Sequence, residues 1–232
     1  MKSLPLEVVK NDRLYVKVAE QLRKLIENDI IKPGERFPSE RELAEQLGVS
    51  RPTVREAMIA LELTGAIEIR SGSGIYANQL RPTSSISLGD AGIGPFEILE
   101  IRLIIEAEAC GLAALRIGDD ELKQLQQCLI DMEEEEKRPD ASEKADQRFH
   151  EIIAQSCQNS AVESVVQWLW KLRNESQLST SFLAQIRDEG IHPSISEHKA
   201  IYDALAARDP IAAREAMRRH IESATENAAK HF

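Results

Sequence analysis

Residues 33–57 read PGERFPSERELAEQLGVSRPTVREA, and this stretch decides the fold of the N-terminal part of the chain. Ser39 is followed three residues later by Glu42, which is the S-x-x-E pattern of a capping box at the start of a helix. Gly48 ends that helix, and Ser50 can cap the next one. The stretch therefore predicts two helices joined by a three-residue turn.

The flanking segments complete a small domain. Residues 14–31 carry apolar side chains at helical spacing and end before a Pro-Gly pair. Residues 66–70 and 75–77 lie on either side of the turn sequence SGSG, a pattern typical of a two-stranded hairpin. A helix, a helix-turn-helix and a hairpin in this order indicate a winged helix-turn-helix, in which the second helix of the pair enters the major groove of DNA.

Two arginines mark the predicted recognition helix. Arg51 and Arg55 lie four residues apart near its N-terminus, so both can reach one groove, and Thr53 adds a hydroxyl between them. Arginine suits bidentate contacts with guanine edges or phosphates. Arg41 on the preceding helix could hold the DNA backbone, and Gly72 would let the hairpin approach it closely.

A second interpretation of these arginines stays open. They could be solvated charges that pair with Glu45 or Glu56 rather than with DNA.

The same residues carry a family resemblance. Residues 33–44 and 48–57 resemble the signature of GntR-type repressors, and the resemblance covers nearly the whole N-terminal domain. It implies DNA contacts at six positions: Arg41, Ser50, Arg51, Thr53, Arg55 and Gly72.

Composition supports a globular protein but does not by itself indicate DNA binding. The chain is 42% hydrophobic and 29% charged, with a formal net charge of −10. The first 80 residues hold 12 basic and 12 acidic side chains, whereas the remainder holds 17 basic and 27 acidic ones. The acidity therefore belongs to the C-terminal part, and the DNA prediction depends on where the N-terminal charges are placed.

The sequence predicts a cytoplasmic protein with no membrane contact. No apolar run approaches the roughly 20 residues that span a bilayer, and the N-terminus lacks a signal-peptide pattern. Cys110, Cys128 and Cys157 are too widely spaced for a metal knuckle and are odd in number, which fits a reducing compartment.

The length of 232 residues suits two domains. We expect a winged helix-turn-helix at 8–80, a linker rich in Pro, Ser and Gly at 81–93, and an all-α domain at 94–232. The fold class is thus mainly α, with a small β-hairpin wing and a C-terminal helical bundle. Periodicity and caps predict its helices at 95–118, from 119 into the acidic run at 133–136, and at 142–158, 161–183, 196–207 and 210–230.

Four side chains of the C-terminal domain form a candidate metal site. Asp146 and His150 share a helical face at i and i+4, while His198 and His220 lie on two later helices. One carboxylate and three imidazoles suit zinc, and also nickel, manganese or iron, with positions left for a ligand. From spacing alone, ordinary core or surface histidines are the alternative.

A second resemblance gives these residues a role. Residues 146–150, 197–201 and 217–221 look like the metal-binding version of the FCD effector domain that accompanies the FadR subfamily of GntR repressors. The resemblance implies that Asp146, His150, His198 and His220 bind a divalent transition metal. It also implies that Arg102 meets the carboxylate of an effector.

The effector class and the role of Arg102 are separate questions. Residues 94–99 and 209–222 are similar to the hexuronate-responsive repressors, which implies a sugar acid or a related hydroxy acid as effector. The alternative for Arg102 is a plain i,i+4 pair with Glu106.

The predicted function is therefore a transcriptional regulator, acting as a repressor, whose affinity for operator DNA is controlled by a small carboxylate effector. Operator palindromes mirror protein two-fold symmetry, so we expect a homodimer. One alternative is a metal-dependent hydrolase of a small carboxylate substrate, with Glu106 or Glu108 as base, but it leaves the hairpin unexplained. A structural adaptor is the other, and it leaves the metal set unexplained.

Overall fold

The computed structural model describes residues 13–80, 91–137 and 143–232. The chain divides into two compact units, Met1–Ala91 and Gly92–Phe232. Most of the predicted linker at 81–93 lies outside the described residues, so its limits stay a prediction. The mainly α fold class is confirmed, with one two-stranded antiparallel sheet in the described residues.

The first unit begins with three helices whose ends follow the predicted local signals. Ser39 and Glu42 cap each other's backbone in a capping box, and Gly48 ends the helix in the left-handed conformation. The side chain of Ser50 accepts a hydrogen bond from the backbone N–H of Thr53 and so begins the third helix. The helices are α1 (Leu14–Glu27), α2 (Glu40–Leu47) and α3 (Arg51–Leu63).

The hairpin forms as predicted and has an additional edge. Strands β1 (Ile67–Arg70) and β2 (Gly74–Ala77) pair antiparallel. The backbone of residues 34–37 runs along the other side of β2, where Phe37 N–H donates to the Ile75 carbonyl. The Pro-Gly turn before α2 is thus tied to the wing.

The second unit is a bundle of seven helices in the described residues. Its central helix is α4, which packs against α6, α7, α9 and α10. Apolar side chains of these helices and of α5 fill the core. The helices are α4 (Pro95–Ala114), α5 (Asp119–Glu135), α6 (Lys144–Ser156), α7 (Ser160–Glu175), α8 (Gln177–Asp188), α9 (Ile195–Ala206) and α10 (Pro210–Ala229).

One predicted helix was wrong. The single helix expected at 161–183 is two helices, α7 and α8, which meet at Ser176. Ser176 takes an extended conformation, and its side chain accepts from the backbone N–H of Ser179 as the N-cap of α8. The apolar periodicity continues across the junction, so the pattern alone hid the break. No helix in the described part of the chain is long and apolar enough to cross a membrane.

Candidate functional site

The N-terminus of α3 carries the candidate DNA-contacting residues of the first unit. Ser50 and Thr53 hydrogen-bond to each other through their hydroxyls (2.8 Å) at the start of the helix. Arg51 is 56% exposed and extends from the same turn. Gly72 lies in the hairpin turn at a φ of +68°, which favours glycine, and a Cβ there would meet nothing within 4 Å.

Arg51 and Arg55 share an acidic partner that sequence reasoning missed. Arg55 Nε lies 2.5 Å from one oxygen of Glu40, and Arg51 Nη2 lies 3.5 Å from the other. Arg55 is therefore mostly buried. The sequence predicted that Arg51 and Arg55 are both open to the groove, and the structure differs at Arg55. Arg41 is exposed and pairs with Glu45 (3.3 Å). Glu40 precedes Arg41 in sequence, but no local signal indicates which arginines it meets 11 and 15 residues later.

The four predicted metal-binding side chains come together in the interior of the second unit. Asp146 and His150 belong to α6, His198 to α9 and His220 to α10, and all four are buried. Each offers one ligand atom, and these atoms all lie within 4.8 Å of one another. Four donors around an ion at about 2.0–2.2 Å lie at most about 4 Å apart, so the cluster is close to that size.

Outer partners fix the orientation of two of the histidines. His198 Nδ1 donates to the Ser194 carbonyl (2.8 Å), since a carbonyl oxygen can only accept. His220 Nδ1 lies 3.0 Å from a Glu197 oxygen. In both rings Nδ1 is engaged outside the cluster and Nε2 is left for it, and His198 Nε2 lies 2.8 Å from Asp146. This arrangement is typical of metal-binding histidines.

His150 is held in the same way by a buried carboxylate. Its Nδ1 lies 2.6 Å from Glu106 Oε2, and its Nε2 faces Asp146 at 3.5 Å. Sequence reasoning considered Glu106 only as a partner of Arg102 or as a base. Its contact with His150 links α4 to α6 across 44 residues of sequence, and spacing gives no sign of it.

The charges of the cluster favour metal binding. Burial acts to raise the pKa of Asp146, but hydrogen bonds from His150 and His198 hold it well below its usual range. Burial and the neighbouring His198 lower the pKa of His220 to about 4, against the opposing effect of Glu197. Burial acts to lower the pKa of His150, but Glu106 and Asp146 raise it, so this ring would release a proton when a cation binds. An ionised Asp146 and a neutral His220 are the forms that bind cations, so these donors fit a divalent transition metal.

Arg102 lies beside this cluster and is not merely a surface charge. It pairs with Glu106 through Nε (2.7 Å) and Nη2 (3.2 Å), and its guanidinium lies 4.2 Å from the centre of the Trp170 ring. Burial opposes ionisation of Glu106, but Arg102 and His150 together lower its pKa to about 2. Arg102 therefore makes the i,i+4 pair with Glu106 that was the alternative to an effector contact, and it also belongs to the buried network.

A cavity of about 90 Å³ adjoins the cluster. Because one water needs about 10–15 Å³ by the same measure, this is room for a small molecule rather than a single water. Its polar lining includes the predicted residues Arg102, Asp146 and His220, together with Glu143, Arg173 and Glu197. The last three were missed by sequence reasoning.

Comparisons with known proteins agree with this architecture. The model of "Bacterial regulatory proteins, gntR family" matches residues 14–77, and the "FCD domain" model matches residues 97–223. The Uxu operon transcriptional regulator of Escherichia coli K12 is 34% identical over 219 residues, covering 91% of this chain and 85% of the relative. The Exu regulon transcriptional regulator of the same strain is 32% identical over 231 residues, covering 94% and 85%.

Among solved structures, the Streptococcus agalactiae GntR protein is 30% identical, with coverage of 91% of this chain and 99% of that chain, at a TM-score of 0.47.

A winged helix-turn-helix joined to a helical domain with a buried donor cluster defines a class of DNA-binding transcriptional regulators. The chain belongs to the GntR family of bacterial regulatory proteins and carries an FCD domain. The named relatives are regulators as well, which supports the predicted regulator over the hydrolase alternative.

Proposed function

We propose that this regulator responds to a sugar acid or a related hydroxy acid, bound in the cavity beside a divalent metal held by Asp146, His150, His198 and His220. Zinc is the metal that the three imidazoles and one carboxylate suit best, with nickel, manganese and iron as alternatives. When bound, the ion would supply a Lewis-acidic position for an oxygen of the effector. The relatives named for the Uxu operon and the Exu regulon support this effector class.

The orientation of the three histidines is the observation that carries the proposal. Each Nδ1 contacts an oxygen outside the cluster, at the Ser194 carbonyl or a glutamate carboxylate. A histidine that only packs in a core has no reason to aim its other nitrogen at a shared point with an ionised aspartate. The cavity then opens beside that point, with Arg102 placed to neutralise an anionic effector.

DNA contact is assigned to the first unit. We propose that Arg51 and Arg55 contact base edges or phosphates, that Arg41 contacts the backbone, and that Ser50 and Thr53 supply hydroxyl donors at the same helix end. Gly72 allows the wing to approach a phosphate. The exposed start of α3 supports this assignment, because base-reading residues lie at the N-terminus of a recognition helix.

We also propose that the chain acts as a homodimer through the second unit. Ile101 and Ile104 of α4, and Leu115 directly after its end, are exposed although they are large and apolar. A second copy that buries these side chains would place one winged domain on each half-site. Ile104→Arg should convert dimer to monomer in light scattering, whereas Ile30→Arg, an equally exposed change in the first unit, should leave the dimer intact.

The effector can change DNA affinity only if it favours one arrangement of the helices around the cavity. The cavity is lined by Asp146 of α6, Glu197 of α9 and His220 of α10, so a ligand that bridges them prefers one spacing of these three helices. By linkage, operator DNA must change effector affinity by the same factor, typically about 5–150-fold.

Fluorescence anisotropy would test this coupling. An operator duplex selected from a random library is titrated with zinc-loaded protein, with and without each acid of a sugar-acid panel. We expect at least one acid to change operator affinity about 5-fold or more, and EDTA to abolish the change.

Two variants of Arg102 test whether the effector response depends on this residue. Arg102→Ala should bind DNA normally without ligand but lose the response, and Arg102→Lys provides a milder change if the alanine variant is unstable. Arg214→Ala, an exposed arginine paired with Glu108, is the control and should respond as wild type does. A normal response in both Arg102 variants would show that the effector does not depend on this residue.

A further inference from the structure

A second charged group lines the same cavity and is not used by the proposal above. Arg173 of α7 and Glu143, the residue before α6, both face the cavity. Arg173 Nη2 lies 2.5 Å from Glu143 Oε2, and Arg187 Nε of α8 lies 3.1 Å from Oε1. The side chains of Arg173 and Glu143 are 13% and 12% exposed, so one nearly buried carboxylate holds two guanidinium groups.

Arg173 lies close to Arg102. The two guanidinium carbons lie 4.9 and 4.2 Å from the centre of the same Trp170 ring, so they are at most about 9 Å apart. Ordinary C–C geometry places the terminal carboxyl carbons of an extended six-carbon acid about 6 Å apart. A molecule of that length can therefore contact both arginines.

The two arginines differ in how tightly their internal partners are held. Glu106, the partner of Arg102, is 3% exposed and also contacts His150, so its release would disturb the metal cluster. The two oxygens of Glu143 contact Arg173 and Arg187 rather than a histidine of the cluster, so its release would not disturb the cluster in the same way. An external carboxylate could replace Glu143 on Arg173 and leave the number of charge pairs there unchanged.

We propose that Arg173 is a second anion-binding residue of this cavity, that it binds the far carboxylate of a dicarboxylic sugar acid, and that Glu143 occupies it when no such group is present. This inference rests on the proposed function, because it assumes that the other end of the acid binds beside Arg102 and the metal cluster.

Two substitutions in the ion pair of Glu143 and Arg173 should have opposite effects on acid binding. Glu143→Gln removes the internal competitor, so it should strengthen binding of an acid with two carboxylates. Arg173→Gln removes the binding group, so it should weaken binding of that acid. An acid with one carboxylate should be little affected by either. If the ion pair had a purely structural role, the two substitutions would change the binding affinities of both acids in the same direction.

Isothermal titration calorimetry with two acyclic six-carbon acids would test these signs. Galactarate has two carboxylates and galactonate has one, and both are titrated into the zinc-loaded full chain. We expect Glu143→Gln to tighten galactarate binding about tenfold and Arg173→Gln to weaken it about tenfold, with less than threefold change for galactonate.

Two matched variants control for general charge effects. Lys171→Gln removes an exposed positive charge from the same helix as Arg173, and Glu136→Gln removes a nearby exposed negative charge. Each should change galactarate affinity less than threefold. Effects as large as those of Arg173→Gln and Glu143→Gln would overturn the inference, as would equal changes for the two acids.

The two levels of proposal fail in different ways. If galactonate or another monocarboxylic acid binds wild type and depends on Arg102, but Arg173 and Glu143 variants leave galactarate unchanged, only the second anion position is wrong. If no sugar acid binds the zinc-loaded wild type, the proposed effector class is wrong and this inference is wrong with it.

Discussion

Each unit holds an arginine through a glutamate carboxylate, but the second partner of that glutamate is exposed in one unit and buried in the other. In the first unit Glu40 holds Arg55 and, on its outer side, Arg51, which is more than half exposed. In the second unit Glu106 holds Arg102 and, on its inner side, His150, which is fully buried. The first network ends at an exposed arginine, whereas the second ends at the buried donor cluster of Asp146, His150, His198 and His220.

The difference fits the ligands proposed for the two regions. DNA approaches from outside and replaces water, so an arginine that contacts it needs to be accessible, as Arg51 is, whereas Arg55 is mostly buried against Glu40. A small ligand in a cavity binds more tightly when its partners are already in place, and a buried network fixes them at a cost in desolvation.

The largest effect is expected from breaking the inward network. Glu106→Ala leaves Arg102 and His150 without their buried carboxylate and should lower the free energy of unfolding by about 3–5 kcal/mol. Glu108→Ala, on the same helix but exposed and paired with Arg214, should cost about 0–1 kcal/mol. Urea unfolding of both variants, in EDTA, measures the difference. Equal losses would contradict the contrast between inner and outer pairs.

Metal removal should loosen the second unit specifically. A site filled at a hundredfold excess over Kd stabilises the folded state by about 3 kcal/mol, and EDTA removes this stabilisation. The two tryptophans of the chain, Trp168 and Trp170, both belong to α7, so their fluorescence reports melting of this unit. His198→Ala should melt at the same temperature with and without EDTA. If EDTA shifts that variant as far as wild type, the chelator acts elsewhere.

A smaller effect separates the two arginines of α3. Arg51→Ala should weaken binding to a selected operator by about 1–3 kcal/mol and change unfolding by no more than about 0.5 kcal/mol, because Arg51 is exposed. Arg55→Ala should weaken both DNA binding and stability, because Arg55 is mostly buried against Glu40. Gel-shift titration and thermal unfolding give the two quantities.

Arg41→Ala serves as the comparison for these DNA variants. A backbone contact should lower affinity equally for all sequences and reduce the salt slope by about one. Loss of sequence preference in Arg41→Ala would contradict its backbone role, and retained preference in Arg51→Ala would show that Arg51 contacts phosphates rather than base edges.

The smallest effect is expected at Cys128, a buried thiol whose charged neighbours do not overcome the effect of burial on its pKa. Burial raises the pKa of Cys128 to about 11, whereas partners overcome burial at Glu106. Because the folded pKa lies above the unfolded one, this thiol contributes stability that is full below about pH 8.5 and is lost as pH rises toward 11. The urea midpoint should fall less between pH 8.5 and 10 in Cys128→Ala than in wild type. Identical slopes would show that the thiol has the same pKa in the folded and unfolded states.

The sequence anticipated the features that depend on neighbours along the chain. The capping box of Ser39 and Glu42 and the cap at Ser50 were confirmed, since each joins residues three positions apart. The DNA-binding class followed from the same short stretch. The i,i+4 relation of Asp146 and His150 was equally local, whereas His198 and His220 were assigned through a family resemblance.

The tertiary structure alone decided which charges meet. Glu40 with Arg55, Glu106 with His150, and Glu143 with Arg173 and Arg187 join residues 15 to 44 positions apart, and nothing in spacing or composition selects these partners. The junction at Ser176 was missed for a related reason, because periodicity reports which face is buried and not where the axis turns. Local hydrogen bonds and side-chain periodicity can be predicted from residues that are close in sequence, because they join such residues. The pairing of buried charges depends on how helices pack around one another.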